Sequence, residues 1–111
     1  MEPKRFNCSI EATLEVLSGK WKTLILYHLV DHTLRFAELK RKIPDISQKV
    51  LTEQLRQLEK DGLIFRKDYE QNPPKVEYSL TDYGNSLKSV LSTMCRWGEN
   101  RIRQNNWQLK L

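Results

Sequence analysis

Between residues 47 and 69 the chain reads SQKVLTEQLRQLEKDGLIFRKDY, and its leucines recur at helical spacing. Leu51, Leu55 and Leu58 share one face. At about 100° per residue, Lys49, Glu53, Arg56 and Lys60 point the opposite way, with Gln48 and Thr52 on the flank. Ser47 suits the N-cap, Ile46 before it can pack on Leu51 as a hydrophobic staple, and Gly62 ends the helix. Downstream the period changes from 3.6 to two. In KVEYSL, Val76, Tyr78 and Leu80 face one side and Lys75, Glu77 and Ser79 the other. LIFRKDYE alternates less cleanly, with Phe65 and Tyr69 opposed to Arg66 and Asp68. The intervening QNPP is a hairpin tip stiffened by two prolines.

The same reading gives the elements on either side. A first helix starts at Ser9 as its cap, buries Ile10, Leu14 and Leu17, and stops at Gly19. WKTLILYHLV is apolar nearly all round, which predicts a central buried helix. TLRF is a short extended piece leading into the helix FAELKRKI, after which Pro44 breaks the pattern. Thr81 caps a last helix whose stripe runs through Leu87, Val90, Leu91 and Met94 and on toward Ile102. The predicted class is α+β, mostly helical. Three helices followed by a two-stranded hairpin is the layout of a winged helix-turn-helix, which lays its third helix in the DNA major groove and its hairpin on the backbone.

Length and charge sharpen this picture. The 111 residues suffice for one domain, expected over residues 1–111, with a single modest core. The net charge of +5 is unevenly placed: Arg35 to Lys67 hold nine Lys or Arg against five Asp or Glu, an excess of four. The positive excess therefore sits on the third and fourth helices and the first strand, which suits a polyanionic partner. No apolar run approaches the ~20 residues of a membrane span. The opening MEPKRFNCSIE lacks the apolar stretch of a signal peptide, so the expected location is the cytoplasm, with no membrane partner.

An amphipathic helix with a solvated outer face is the ordinary reading of residues 48–60. Three features favour DNA here: a basic helix before it (Lys40, Arg41, Lys42), a basic hairpin after it (Arg66, Lys67, Lys75), and a first turn bearing Ser47, Gln48 and Lys49. Those side chains bond phosphate oxygens and base edges, and a helix N-terminus attracts phosphate. Ser47, Gln48, Lys49, Thr52 and Arg56 are the expected major-groove contacts, with Arg66, Lys67 and Lys75 on phosphates from the wing and Lys40 and Arg41 from the preceding helix.

Cysteine use adds a second candidate. Cys8 and Cys95 lie too far apart in sequence for a disulfide framework or a zinc pattern. Cys8 reads two ways, as an idle small thiol or as a reactive one. It precedes a helix N-terminus and lies close to Lys4 and Arg5, which favour thiolate, while Glu11 opposes them. Cys95, beside Met94 and Trp97, is expected to pack. His28 and His32 have metal-binding spacing but no third ligand nearby, so no metal site is assigned. No glycine-rich phosphate loop or catalytic constellation is present in the sequence, and neither a catalytic residue nor a cofactor is expected.

The stretches CSIEATLEVLSGKWKTLILYHL, RFAELKRKIPDISQKVLTEQLRQLEKDGLIFR, PPKVEYSLTDYG and MCRWG together resemble the HxlR family of bacterial transcriptional regulators, related to the MarR group, over about residues 8–98. The resemblance implies a homodimer built by the first and last helices, binding a pseudo-palindromic double-stranded operator; the expected role is a repressor rather than an activator. It also implies a candidate sensor, since several such regulators respond to electrophiles or oxidants through a cysteine at the position of Cys8. This chain keeps that cysteine, with Ser9 where many relatives have proline. If Cys8 reacts, Cys95 of the partner subunit is a candidate for disulfide exchange, provided the Cα atoms come within ~7 Å. Two rival readings stay open: a regulator answering a non-redox small effector, and a winged-helix module that grips protein.

Overall fold

A computed structural model describes residues 2–110; the two ends of the expected 1–111 domain lie outside the described residues. The elements are α1 (Ser9–Leu17), α2 (Lys22–Leu29), α3 (Phe36–Lys42), α4 (Gln48–Lys60), β1 (Ile64–Asp68), β2 (Val76–Leu80), α5 (Asp82–Asn85) and α6 (Lys88–Gln104). The architecture is mostly helical with one small sheet, a winged helix-turn-helix.

The centre of the sequence folds as its pattern requires. Ser47 Oγ accepts the Val50 N–H at 3.1 Å, which fixes the start of α4. Leu51, Leu55 and Leu58 are buried on its inner side, together with Ile46. At the other end Gly62 takes φ +77°, a conformation costly for any residue with a Cβ. The Leu63 N–H then bonds back to the Leu58 carbonyl at 3.0 Å, and the chain turns from helix into β1.

β1 and β2 pair antiparallel, from Ile64 opposite Leu80 to Asp68 opposite Val76. Ile64, Arg66 and Asp68 therefore share a face with Val76, Tyr78 and Leu80. Phe65, Lys67 and Tyr69 share the other with Lys75, Glu77 and Ser79. The extended residues before α3 join this sheet at one point, where Leu34 and Tyr78 exchange both backbone hydrogen bonds at 3.0 and 2.8 Å. That bridge fastens the wing to the helix-turn-helix. A single core unites Ile25, Leu26 and Leu29 of α2 with Leu39, the three leucines of α4, Leu63, Ile64 and Leu91.

The structure corrects four expectations. Cys8, not Ser9, is the N-cap of α1; Ser9 is the first helical residue, and the Glu11 carboxylate accepts the Cys8 N–H at 3.1 Å. α1 buries no residue: Ile10 and Leu14 are exposed and Leu17 is only partly covered, so the stripe faces outward. α2 is not buried all round, since Leu24 and Tyr27 are exposed opposite the buried Ile25, Leu26 and Leu29. The last helix is two. Thr81 caps only the short α5, donating to the Gly62 carbonyl at 2.6 Å and accepting the Gly84 N–H at 3.0 Å, and α6 begins after Leu87.

Gly84 seats α5. A Cβ there would lie 1.9 Å from the Leu63 carbonyl oxygen, so α5 rests directly on the backbone at the α4–β1 corner. α6 follows, burying Leu91 while Val90, Met94 and Trp97 stay exposed. The protein is accordingly open in shape. Its surface of 8,699 Å² exceeds the roughly 6,400 Å² of a compact monomer of this mass. Its radius of gyration, 15.8 Å, exceeds the roughly 13 Å usual for about 100 residues.

Candidate nucleic-acid interface

α4 presents its polar side to solvent along its whole length. Ser47, Gln48, Lys49, Glu53 and Arg56 are exposed and Thr52 is half-buried. Among the described residues the ion pairs are Lys4–Glu15, Arg66–Asp68 and Lys88–Asp31, none of which involves α4. The charges of Lys49, Arg56 and Lys60 are thus not neutralised within the chain at contact distance. Two hydroxyls of the first turns are already engaged: Ser47 Oγ accepts the Val50 N–H, and the Thr52 hydroxyl donates to the Gln48 carbonyl at 2.9 Å, which leaves only its lone pairs for a ligand.

Further along α4, Thr52, Arg56 and Glu59 meet Arg66 and Tyr78 of the wing around a cleft of about 430 Å³. Arg66 approaches Asp68 only at 4.0 Å, so its guanidinium is loosely held. Lys67 and Lys75 do not join this group. They stand on the opposite face of the hairpin, each ammonium over the ring of Tyr69, at 4.7 and 4.4 Å from its centroid. The Tyr69 hydroxyl donates to Glu77 Oε1 at 2.5 Å, and that bond holds the phenol above its ordinary pKa. From α3, Arg41 is exposed, while the Lys40 ammonium donates to the Pro44 carbonyl at 3.2 Å across the turn.

Tyr69 is the residue that the sequence pattern alone did not single out. The signal lies in register: counting back from the QNPP tip places Tyr69 beside Lys75, where its N–H donates to the Lys75 carbonyl at 3.0 Å.

The two thiols occupy different settings. Cys8 is exposed at the head of α1. Of its basic neighbours in sequence, Lys4 is taken up by Glu15 at 2.7 Å, and Glu11 Oε1 is engaged by the N–H groups of Asn7 and Cys8. Cys95 is half-buried on α6, where it lines a cavity of about 200 Å³ with Tyr27, Val30, Lys88, Leu91 and Ser92. Proximity to Cys95 holds the Tyr27 phenol above its ordinary pKa. Among the described residues no cluster of three metal-ligating side chains occurs, and no helix is long and apolar enough to cross a membrane.

The chain matches the HxlR-like helix-turn-helix family over residues 16–106, a span that holds the whole helix-turn-helix, the wing and α6. The chain belongs to that family. Cys8 lies upstream of the matched residues. This HxlR-like chain is 56% identical over 104 residues to the HTH-type transcriptional regulator YtcD of Bacillus subtilis (strain 168), covering 94% of this chain and 82% of that one. Among solved structures it is similar to the redox regulator HypR in its reduced form, with a TM-score of 0.83 at 46% identity over 90% of this chain and 100% of that. It is also similar to the reduced transcriptional regulator YodB from B. subtilis, with a TM-score of 0.73 at 36% identity over 85% of this chain and 93% of that. HypR is solved in an oxidised form as well, and YodB in diamide-treated and quinone-bound forms. The HxlR-like chain is therefore a transcriptional regulator, and a helix-turn-helix regulator acts by binding DNA.

Proposed function

We propose that this protein is a homodimeric, cytoplasmic repressor that reads a pseudo-palindromic operator through α4 and answers electrophiles or oxidants through Cys8. The observation that carries the reading is the division of α4, whose leucines are buried in the core while its cations stay exposed beside a basic wing. Ser47, Gln48, Lys49, Thr52 and Arg56 meet base edges and flanking phosphates in the major groove. Arg66 holds phosphate from the α4 side of the wing, Lys67 and Lys75 from its other face, and Lys40 and Arg41 from α3. The whole chain acts as one DNA-binding domain.

The second copy covers α1 and α6. Ile10 and Leu14 on α1 and Val90, Met94 and Trp97 on α6 are exposed apolar side chains, more than a stable monomer ordinarily leaves on its terminal helices. The surface above that of a compact monomer, about 2,300 Å², is on the scale an obligate dimer buries. A twofold pair places two α4 helices about one DNA turn apart (~34 Å) or a multiple of it. Cys8 heads α1 and is exposed, so an adduct there bears on a helix of the dimer surface and changes operator affinity through it. HypR and YodB, with their oxidised and quinone-bound forms, support that role.

The test is binding of the reduced protein to DNA from upstream of its own gene, against random DNA at matched salt, before and after diamide. Lys49→Ala should lose ~1–3 kcal/mol on the operator and far less on random DNA. Cys8→Ser should bind normally and ignore diamide. Equal binding of operator and random DNA by both parent and Lys49→Ala would refute the assignment of α4. The non-redox effector reading has one observation in its favour, the cavity beside Cys95, and a Cys8→Ser protein that still responded like the parent would select it.

A further inference from the structure

Lys67, Tyr69, Lys75 and Glu77 form one square on the outer face of the wing. Lys67 stands opposite Glu77 in the register, and Tyr69 beside Lys75. In such a square the ordinary pairing would set the Lys67 ammonium against the Glu77 carboxylate, directly across the strands. The structure has a different arrangement. Tyr69 reaches along the diagonal and donates its hydroxyl to Glu77 at 2.5 Å. Both ammonium groups lie over its ring, at 4.7 and 4.4 Å from the centroid, well within cation–π range. Among the described residues no ion pair within 4.0 Å joins Lys67 or Lys75 to a carboxylate. Arg35, also positive, acts electrostatically on Tyr69 from the start of α3.

We propose that Tyr69 is the positioning residue of the wing: its ring gathers Lys67 and Lys75 into one cationic patch, and its hydroxyl holds Glu77 away from them, so that both lysines grip backbone phosphates together. The inference rests on the reading that the wing meets DNA, and adds the device that makes the wing's grip. The two ammonium groups lie no farther apart than their combined distances from the ring centre, a span that two neighbouring phosphates of one strand can fill. A lysine on a free four-carbon stem must be ordered when DNA arrives. One already resting on a ring needs less ordering and keeps its outer hydrogens for an anion. An acidic side chain at the same spot would instead compete with phosphate for the lysines.

The test uses the full-length protein, with affinity for a random-sequence duplex measured over a salt series. Tyr69→Leu removes ring and hydroxyl; Tyr69→Phe keeps the ring. Tyr69→Leu should weaken binding about five-fold or more, the loss expected when two exposed cation–π contacts no longer hold their ammonium groups. Tyr69→Phe should recover at least half of that on a logarithmic scale. In the Tyr69→Leu background, Lys67→Ala and Lys75→Ala should each cost less than in the parent. An independent readout needs no DNA: the Cε protons of Lys67 and Lys75 should resonate upfield in the parent, shielded by the ring, and return to ordinary positions in Tyr69→Leu. Tyr69→Leu binding within about two-fold of the parent would overturn the proposal. So would a Tyr69→Phe protein as weak as Tyr69→Leu, or the absence of upfield lysine signals. A parent that bound no duplex at all would instead overturn the DNA-binding reading itself, and would do so whatever the lysine signals showed.

Discussion

Replacing Trp97 with alanine tests the proposed dimer, and the structure sets the size of the effect. Trp97 lies on α6 and is 65% exposed in the single chain. Aromatic side chains bury about 150–250 Å² when covered, so roughly 100–160 Å² of this one awaits a partner. At about 25 cal/mol per Å² full coverage is worth ~2.5–4 kcal/mol. Coverage by half in the dimer gives ~1–2 kcal/mol per copy, and a twofold interface counts the residue twice. Trp97→Ala should therefore raise the dimer dissociation constant by about 10²–10³-fold. Sedimentation velocity over a concentration series reads this directly. The variant should also lose operator affinity in the concentration range where it dissociates, because a monomer holds only one half-site. Its secondary structure should be unchanged, since Trp97 contributes nothing to the buried core. A Trp97→Ala protein that dissociates at the same concentration as the parent would remove α6 from the interface.

Two further predictions concern the protomer. Gly84→Ala forces a Cβ to within 1.9 Å of the Leu63 carbonyl oxygen, where only backbone movement relieves the clash. It should cost about 2–3 kcal/mol or more and lower the melting temperature by about 10 °C, and an unchanged melt would show that α5 does not rest on that corner. His28 has its pKa lowered, first by burial and then by the nearby charges of Lys42 and His32. A depressed histidine leaves the unfolded chain binding the proton first, so its contribution is present above its ordinary value of 6.5 and is lost as pH falls through the folded value. Urea melts should show stability declining on the acid side of neutrality, with a shallower decline in His28→Gln; identical slopes would exclude His28 as the source.

Much of the wing and of α4 was legible in the chain because local rules govern them. A cap at Ser47, a leucine repeat and a glycine stop leave α4 one way to form, and the alternation of KVEYSL after the QNPP tip marks the hairpin, whose register the structure supplies. The exposed residues of α4 were legible for the same reason. Once the leucines choose the inner side, Lys49 and Arg56 have only the outer one.

What the chain could not announce were facts about distance between elements. The stripe Ile10–Leu14–Leu17 has the same helical period whether it meets its own core or a second copy, and only the packing of α1 leaves it outside. The seating of α5 depends on Gly84 touching the Leu63 backbone, a contact between residues remote in sequence. Arg66, Lys67 and Lys75 read as one basic tip, yet the pleat sends Arg66 to the α4 cleft and the lysines to Tyr69. The sequence by itself determined the first four helices, the two strands and which of their sides are apolar, because those follow from residues a few positions apart. Tertiary structure decided which apolar sides are covered and which cations stand together, because those depend on where separate elements come to rest.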